Sequence, residues 1–354
     1  METASTGAVD APPLIVPIFI PHLGCPHQCV FCRQDTITGK KARLPTPDQI
    51  HQEVNRFLQY GKRRRSLTQL SFFGGNFLGL NRSSQLSLLE TATDLVQAGT
   101  IDSIRFSTRP DTVSEKKAAL LAAFPVSTVE LGVQSMNNRV LHLAGRGHQA
   151  ADTVAAARLL KKQGYQLGLQ MMVGLPGDSD DDAMATARRM ASLQPDFVRI
   201  YPTLVLAGSR LADRLRSGRY RPMSLDHGVN LVKRLYLYFK TRHIPVVRMG
   251  LQASDGLDDS GNLLAGPYHP AFGHLVHSAI VFDALSSTIE KIASLPDPLT
   301  IIAHPRMISR VQGMNKHNLS QLRQTFGLET IRLIQKESLA ADRLVVAGNA
   351  VHLP

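Results

Sequence analysis

Tryptophan is absent from the 354 residues, aromatic residues make up 6% of them, and there are three cysteines, all within one stretch of eight residues. Three thiols cannot form a paired disulfide framework, and a four-ligand structural zinc site needs one donor more than they supply. No run of 18 uncharged apolar residues occurs, and the opening segment Met1–Pro13 lacks a basic stretch followed by an apolar one. Neither membrane spanning nor export is therefore expected, and the chain reads as cytoplasmic. Solenoid repeats and low-complexity tracts are missing too. Acidic residues are in short supply: 28 Asp and Glu face 40 Lys and Arg, a formal charge of +12. That balance favours an anionic partner, either nucleic acid or a phosphorylated or carboxylated substrate. The densest basic run, Lys62-Arg63-Arg64-Arg65, suits a phosphate contact or a solvated helix end equally well.

What is present is a chain with 43% hydrophobic residues, enough for one large domain and a small appendage. Short apolar, β-branched runs at Leu14–Phe19, Gln69–Phe73, Ser103–Thr108, Thr128–Gln134, Gly168–Val173 and Phe197–Pro202 alternate with helical patterns. The helical patterns fall near Pro47–Tyr60, Ser83–Gln97, Glu115–Ala123, Ala150–Gln163, Asp181–Leu193 and Leu225–Thr241. Repeated βα units of this kind predict an α/β fold around a parallel sheet. A seventh extended run, Pro245–Leu251, closes the region, and the Gly- and Asp-rich stretch Asp255–Gly266 reads as a linker. The expected division is a core at 1–252 and a small α+β unit at 253–354. In the latter, Thr300–Ile308, Asn318–Phe326, Thr330–Gln335 and Arg343–Val346 read as strand, helix, strand, strand.

The cysteines form the segment Cys25-Pro-His-Gln-Cys29-Val-Phe-Cys32. Three thiolates suit three irons of a [4Fe–4S] cluster and leave the fourth iron open to an external ligand. A Cys₃His zinc site using His27 or a distant histidine, and three incidental thiols, are the alternatives. The loop directly follows the first expected strand, at the carboxyl-terminal mouth where barrel enzymes hold their active sites.

The C-x₃-C-x₂-C spacing, with Phe31 before the last cysteine, resembles that of the radical S-adenosylmethionine (SAM) superfamily. The resemblance implies a partial (β/α)6 TIM-type barrel, Cys25, Cys29 and Cys32 as cluster ligands, and SAM bound on the open iron. It also implies reductive cleavage of SAM to a 5′-deoxyadenosyl radical, with electrons from a low-potential donor such as a ferredoxin or flavodoxin. Gly74-Gly75-Asn76 stands where the superfamily has a Gly-Gly-Glu motif whose backbone receives the SAM amino group. Asn76 replaces the Glu, which keeps a backbone role and leaves the side chain's role open. Glu130-Leu-Gly-Val-Gln134-Ser135, followed by Arg146-Gly147-His148, looks like oxygen-independent coproporphyrinogen oxidases. By that likeness Gln134 contacts the SAM ribose and Arg146 its carboxylate. A guanidinium fork suits a carboxylate, and an amide can serve two hydroxyls. Gln170 occupies a ribose-binding position, and Gly174-Leu-Pro-Gly177 resembles the loop bordering the adenine. Either glutamine could instead be an ordinary hydrogen-bonded strand residue.

Thr108-Arg-Pro-Asp111, Glu130–Ser135, Arg146–His148, Gly174–Gly177 and Ile200-Tyr-Pro-Thr-Leu-Val205 resemble, in order, the radical SAM domain of the Elongator catalytic subunit. The likeness runs from about Pro17 to Leu225. No Arg/Gln-x-x-Gly-x-Gly/Ala loop follows Val205, so the acetyl-CoA chemistry of that subunit's second domain is not expected. His274 and His277, at i, i+3 spacing, could share a helical face and act on substrate, although a surface or cap role is the commoner use. Residues 301–354 carry seven Lys or Arg against three Asp or Glu, a composition able to grip a phosphate backbone or simply to be a basic surface. Three functions are open: tRNA modification, with tRNA as the partner; an oxidase or transferase acting on a carboxylated small molecule; and a non-catalytic iron–sulfur and SAM-binding protein. The catalytic residues are not identifiable from sequence.

Overall fold

The structure is a computed structural model and describes residues 13–34, 43–59, 65–251 and 261–353. Along the chain lie β1 (Leu14–Phe19), α1 (Pro47–Gln59), β2 (Thr68–Phe73), α2 (Arg82–Gln97), β3 (Ser103–Thr108), α3 (Glu115–Leu121) and β4 (Val126–Gln134). There follow α4 (Asn138–Leu143), α5 (Ala150–Lys162), β5 (Gln166–Val173), α6 (Asp180–Ser192), β6 (Phe197–Pro202), β7 (Val205–Leu206), α7 (Arg210–Arg216), α8 (Leu225–Lys240) and β8 (Val246–Met249). The strands run β1-β2-β3-β4-β5-β6-β8 in one sheet, every neighbouring pair parallel. β1 and β8 end the order, and the sheet curls into an open, partial TIM-type barrel; the alternation of strand and helix signals predicted the parallel sheet, and the resemblance implied the barrel. The run at Pro245–Leu251 supplies its seventh strand.

The helices begin where short polar side chains can hold free backbone donors. Asn81 accepts from the Ser84 N–H before α2, Ser179 from Asp182 N–H before α6, and Ser224 from His227 N–H before α8. Asp180, Asp181 and Asp182 add negative charge at the positive end of α6.

Beyond β8 come β9 (Leu263–Ala265), α9 (Phe272–Ile289), β10 (Leu299–Ala303), α10 (Ile308–Gln312), α11 (His317–Phe326), β11 (Ile331–Gln335), β12 (Arg343–Val346) and β13 (Asn349–His352). β11-β10-β12-β13 form a second, mixed sheet, and β9 pairs with β7. The expected strand Thr300–Ile308 is shorter than the pattern implied. Pro305 has no N–H for the ladder, so the chain leaves the sheet after Ala303 and turns into α10. The expected linker lies partly at 252–260 and the end of the first expected helix at Tyr60, both outside the described residues.

The 18-residue α9 has no one-sided apolar pattern in its sequence, and the structure shows why. Phe272, Val276 and Ile280 pack into the barrel core, whereas Val281, Leu285 and Ile289 pack into the core of the second sheet. A helix with two buried faces carries no 3.6-residue polarity signal. No helix among the described residues is long and apolar enough to cross a membrane.

Candidate active site

Parallel sheets covered on both faces read as continuous apolar runs, and this one does not. Val16, Ile18, Leu70, Phe72, Ile104, Phe106, Val129, Leu131, Leu167, Leu169, Val198 and Ile200 alternate onto the convex side, where they join one core with the helices. The intervening residues, among them Gln69, Ser71, Arg105, Thr128, Glu130, Gln134, Gln170, Arg199 and Tyr201, fall on the concave side by the two-residue period of a strand. The barrel interior is thus a polar chamber.

At the mouth of this chamber the chain leaving β1 carries the three cysteines. Cys25 is exposed, Cys29 buried and Cys32 half-buried, and all three are free thiols. The loop is pinned from both sides: Val30 N–H donates to Ala144 O at 3.0 Å, and Leu211 N–H donates to Val30 O at 2.8 Å. Burial and the neighbouring Cys29 and Cys25 thiols push Cys32 up to about 12. Thiols held in that state release protons when they take up metal. No three His, Cys, Asp or Glu side chains among the described residues are placed to share one ion. Thiolates that bind different irons of a cluster stand farther apart than ligands of a single zinc.

Asn76 ties this loop to the sheet. Its Nδ2 donates to Gly24 O at 2.7 Å, while its Oδ1 accepts from Thr108 Oγ1 at 2.7 Å, Thr112 Oγ1 at 2.9 Å and Arg109 N–H at 3.0 Å. A glutamate could not donate to Gly24 O, so the departure from Gly-Gly-Glu has a structural use on the residue before Cys25. The glycine pair is used unequally. A Cβ on Gly75 would lie 2.3 Å from Ile20 O, so Gly75 lets two backbones cross, whereas Gly74, at φ +83°, has no neighbour closer than 3.4 Å at that position.

Gln134 ends β4 in the left-handed region, φ +66°, at a shift in the β4–β5 register. Such backbone is uncommon for a residue with a Cβ and concentrates at functional sites. Its Oε1 is buried without a partner among the described residues. Arg146 places NH1 3.3 Å from Cys29 Sγ and NH2 2.6 Å from Gly132 O, leaving Nε buried with no partner among the described residues. It therefore touches the cysteine loop directly, which its sequence position did not disclose. Arg109 pairs with Asp111 through two hydrogen bonds of 3.0 and 2.9 Å, donates to Arg146 O and keeps NH1 buried without a partner among the described residues. Burial together with Arg146 and Arg109 lowers His148 to about 3, so its ring is neutral.

Phe31 is half-buried and packs between Val140, Ala144 and Leu175 on one side and Val205 and Tyr220 on the other. Gly174 takes φ +74°, donates its N–H to Asp178 Oδ2 at 3.0 Å and accepts from Tyr220 OH at 2.6 Å. A cavity of about 790 Å³ opens here between the Gly174–Asp180 loop and Arg219–Ser224. Burial raises Asp178 to about 7. Of the other expected residues, Lys62, Arg63 and Arg64 lie outside the described residues, while Arg65 donates to Leu58 O. His277 stands edge-on to Tyr236 on α8, 5.0 Å between ring centres, and burial lowers it to about 4.

Three thiols from one loop and polar atoms on Gln134, Arg146 and Arg109 that have no partner among the described residues fit a cluster with a charged, hydroxyl-bearing ligand. An uncharacterized protein of Methanocaldococcus jannaschii is 27% identical over 223 residues, covering 59% of this chain and 67% of its own length. The tRNA uridine(34) acetyltransferase of Methanocaldococcus infernus is 35% identical over 128 residues, 35% of this chain and 24% of that protein, so the match spans about a quarter of that relative. The solved structure of the archaeal M. infernus Elp3 with an N-terminal deletion superposes with a TM-score of 0.60 at 19% identity, covering 82% of this chain and 71% of that one. The radical SAM superfamily model matches residues 19–190 and the radical SAM C-terminal domain model residues 195–281; the cysteine loop, every β-strand of the barrel except β1, of which only Phe19 is included, and the first half of α9 fall inside these two segments, and the chain belongs to the radical SAM superfamily.

Proposed function

We propose that this radical SAM enzyme modifies tRNA, with the mouth and interior of the half-barrel as its reaction chamber. The superfamily uses a [4Fe–4S] cluster and SAM and needs a reductant; when bound, the two supply a one-electron cleavage that starts radical chemistry. In this reading Cys25, Cys29 and Cys32 hold three irons. The Gly74-Gly75-Asn76 backbone receives the SAM amino group, Arg146 the carboxylate, Gln134 and Gln170 the ribose hydroxyls, and the loop at Gly174 borders the adenine, with Phe31 packed behind the last cysteine. Asn76 keeps the loop at one distance from the third strand, and the convex core keeps water from reaching the sheet from behind. A core at 1–252 and a C-terminal unit at 253–354 are part of the proposal, the latter's surplus of Lys and Arg serving the phosphate backbone.

The observation that carries the reading is the convergence of the cysteine loop, Arg146 on Cys29, and the unpartnered Gln134 Oε1 at one end of the chamber. The names of the relatives and the +12 charge support tRNA as the substrate. Anaerobically prepared protein should copurify with tRNA, and its affinity should fall linearly with the logarithm of salt concentration. Nucleosides from a deletion strain, analysed by mass, should lack one modification. Unchanged nucleosides and no salt-dependent tRNA binding would turn the assignment to a small carboxylated substrate.

A further inference from the structure

Glu130 is buried, 2% exposed, between two guanidiniums on the concave wall. Arg105 NH2 reaches its Oε1 at 2.6 Å, and Arg199 Nε reaches its Oε2 at 2.7 Å. One arginine would neutralise the carboxylate; the second leaves a positive charge in surplus. Burying an uncompensated charge is costly, and such charges stay where something opposes them. Arg105 is the closed-off partner, 8% exposed and stacked 4.5 Å from the Phe197 ring. Gly168 makes that stacking possible, since a Cβ there would stand 2.3 Å from Phe197. Arg199 is the accessible partner, 17% exposed. Its Nε is taken by Glu130 and its guanidinium lies over the Phe73 ring, but among the described residues the one hydrogen-bond partner of NH1 is the Tyr201 hydroxyl, at a long 3.4 Å. The NH1 edge and the Tyr201 hydroxyl therefore form a donor pair on the chamber side.

We propose that Arg199 and Tyr201 form a subsite for an anionic group of the substrate, a phosphate or a carboxylate, with Arg105 and Glu130 positioning the guanidinium. The inference rests on the reading of the chamber as the reaction site. Strand register puts this subsite beside the SAM contacts: Gly132, Gln170, Arg199 and Arg248 are successive partners across β4, β5, β6 and β8. Adjacent strands lie about 4.8 Å apart, so the group held by Arg199 is one strand away from Gln170. A guanidinium edge and a hydroxyl suit two oxygens of one anion.

The test is thermal stabilisation of anaerobically reconstituted protein, saturated with SAM, by inorganic phosphate and by acetate, with chloride holding ionic strength constant. One of the two anions should give a saturable rise in melting temperature, and Arg199→Gln should weaken it about tenfold or more, the loss of one charge-assisted contact. Arg199→Lys should recover part of it. Arg199→Gln leaves a neutral Arg105–Glu130 pair and should fold; should it not, Tyr201→Phe serves in its place, with a loss of about threefold expected. Preference for phosphate assigns a phosphorylated or nucleic-acid group, and preference for acetate a carboxylated one. Equal shifts in wild type and variants, or no shift, would overturn the subsite. Phosphate that competes with SAM would place the SAM carboxylate there and overturn the substrate assignment. A protein that takes up no cluster yet binds the anion through Arg199 would instead remove the radical reading and leave the subsite standing.

Discussion

The two faces of the seven-stranded sheet have opposite chemistry. The convex face is built from Val, Ile, Leu and Phe that are almost wholly buried against helices. The concave face carries Gln, Ser, Thr, Glu and Arg at the alternating positions, and its upper rim carries the cysteine loop. One strand thus serves both purposes, stability on one side and chemistry on the other, and substitutions on the two faces should fail in different ways.

The largest contrast comes from the rim. Cys25→Ala, Cys29→Ala or Cys32→Ala should each abolish a [4Fe–4S] signal in electron paramagnetic resonance, because three thiolates leave no spare ligand. The metal-free variants should melt with the metal-free wild type. A stable zinc-only protein without the signal would contradict the ligand assignment.

On the convex face, Phe106, fully buried and stacked 4.5 Å from Phe77, predicts the reverse outcome. Phe106→Ala should cost about 3–5 kcal/mol in denaturant unfolding, while the protein that remains folded takes up its full complement of iron. Iron loss without destabilisation would erase the distinction between the faces.

Arg146→Ala should weaken SAM binding by about 2 kcal/mol, roughly thirtyfold. Because NH1 also touches Cys29 Sγ, the same change should slow cluster uptake, which iron assays over time would reveal. Asn76→Asp keeps the acceptor for Thr108, Thr112 and Arg109 N–H but loses the donor to Gly24 O. About 1–2 kcal/mol of stability should go with it, with faster proteolysis near Cys25; unchanged proteolysis would mean that the tether does not hold the loop.

The last effect, dependent on pH, concerns Asp178, beside the cavity. Its carboxyl is raised from 3.8 to about 7 by burial. A carboxyl raised on folding favours the folded state below its unfolded value, and that contribution is lost as pH rises through about 7. Asp178→Asn should therefore match wild type near pH 4 and melt higher at pH 8, and parallel melting curves across that range would show the group to be solvated.

Six βα units, the seventh extended run and the cysteine loop were legible because each is local. Strand and helix periods repeat within a few residues, and ligand spacing needs only the eight residues from Cys25 to Cys32. Pro305 and α9 mark where local reading stopped, since α9's two buried faces belong to two cores that a single segment cannot announce. The same holds for the site. Gly74, Gly75, Gln134, Arg146 and Gln170 stood out by resemblance, but nothing in sequence separation links Asn76 to Gly24, 52 residues away, or Arg146 to Cys29, 117 away. The sequence by itself determined the α/β alternation, the three thiols and the positive charge. Only the tertiary structure decided which alternate residues face the chamber, and so where Glu130 meets two arginines, because facing depends on how the sheet curls and which side the helices cover.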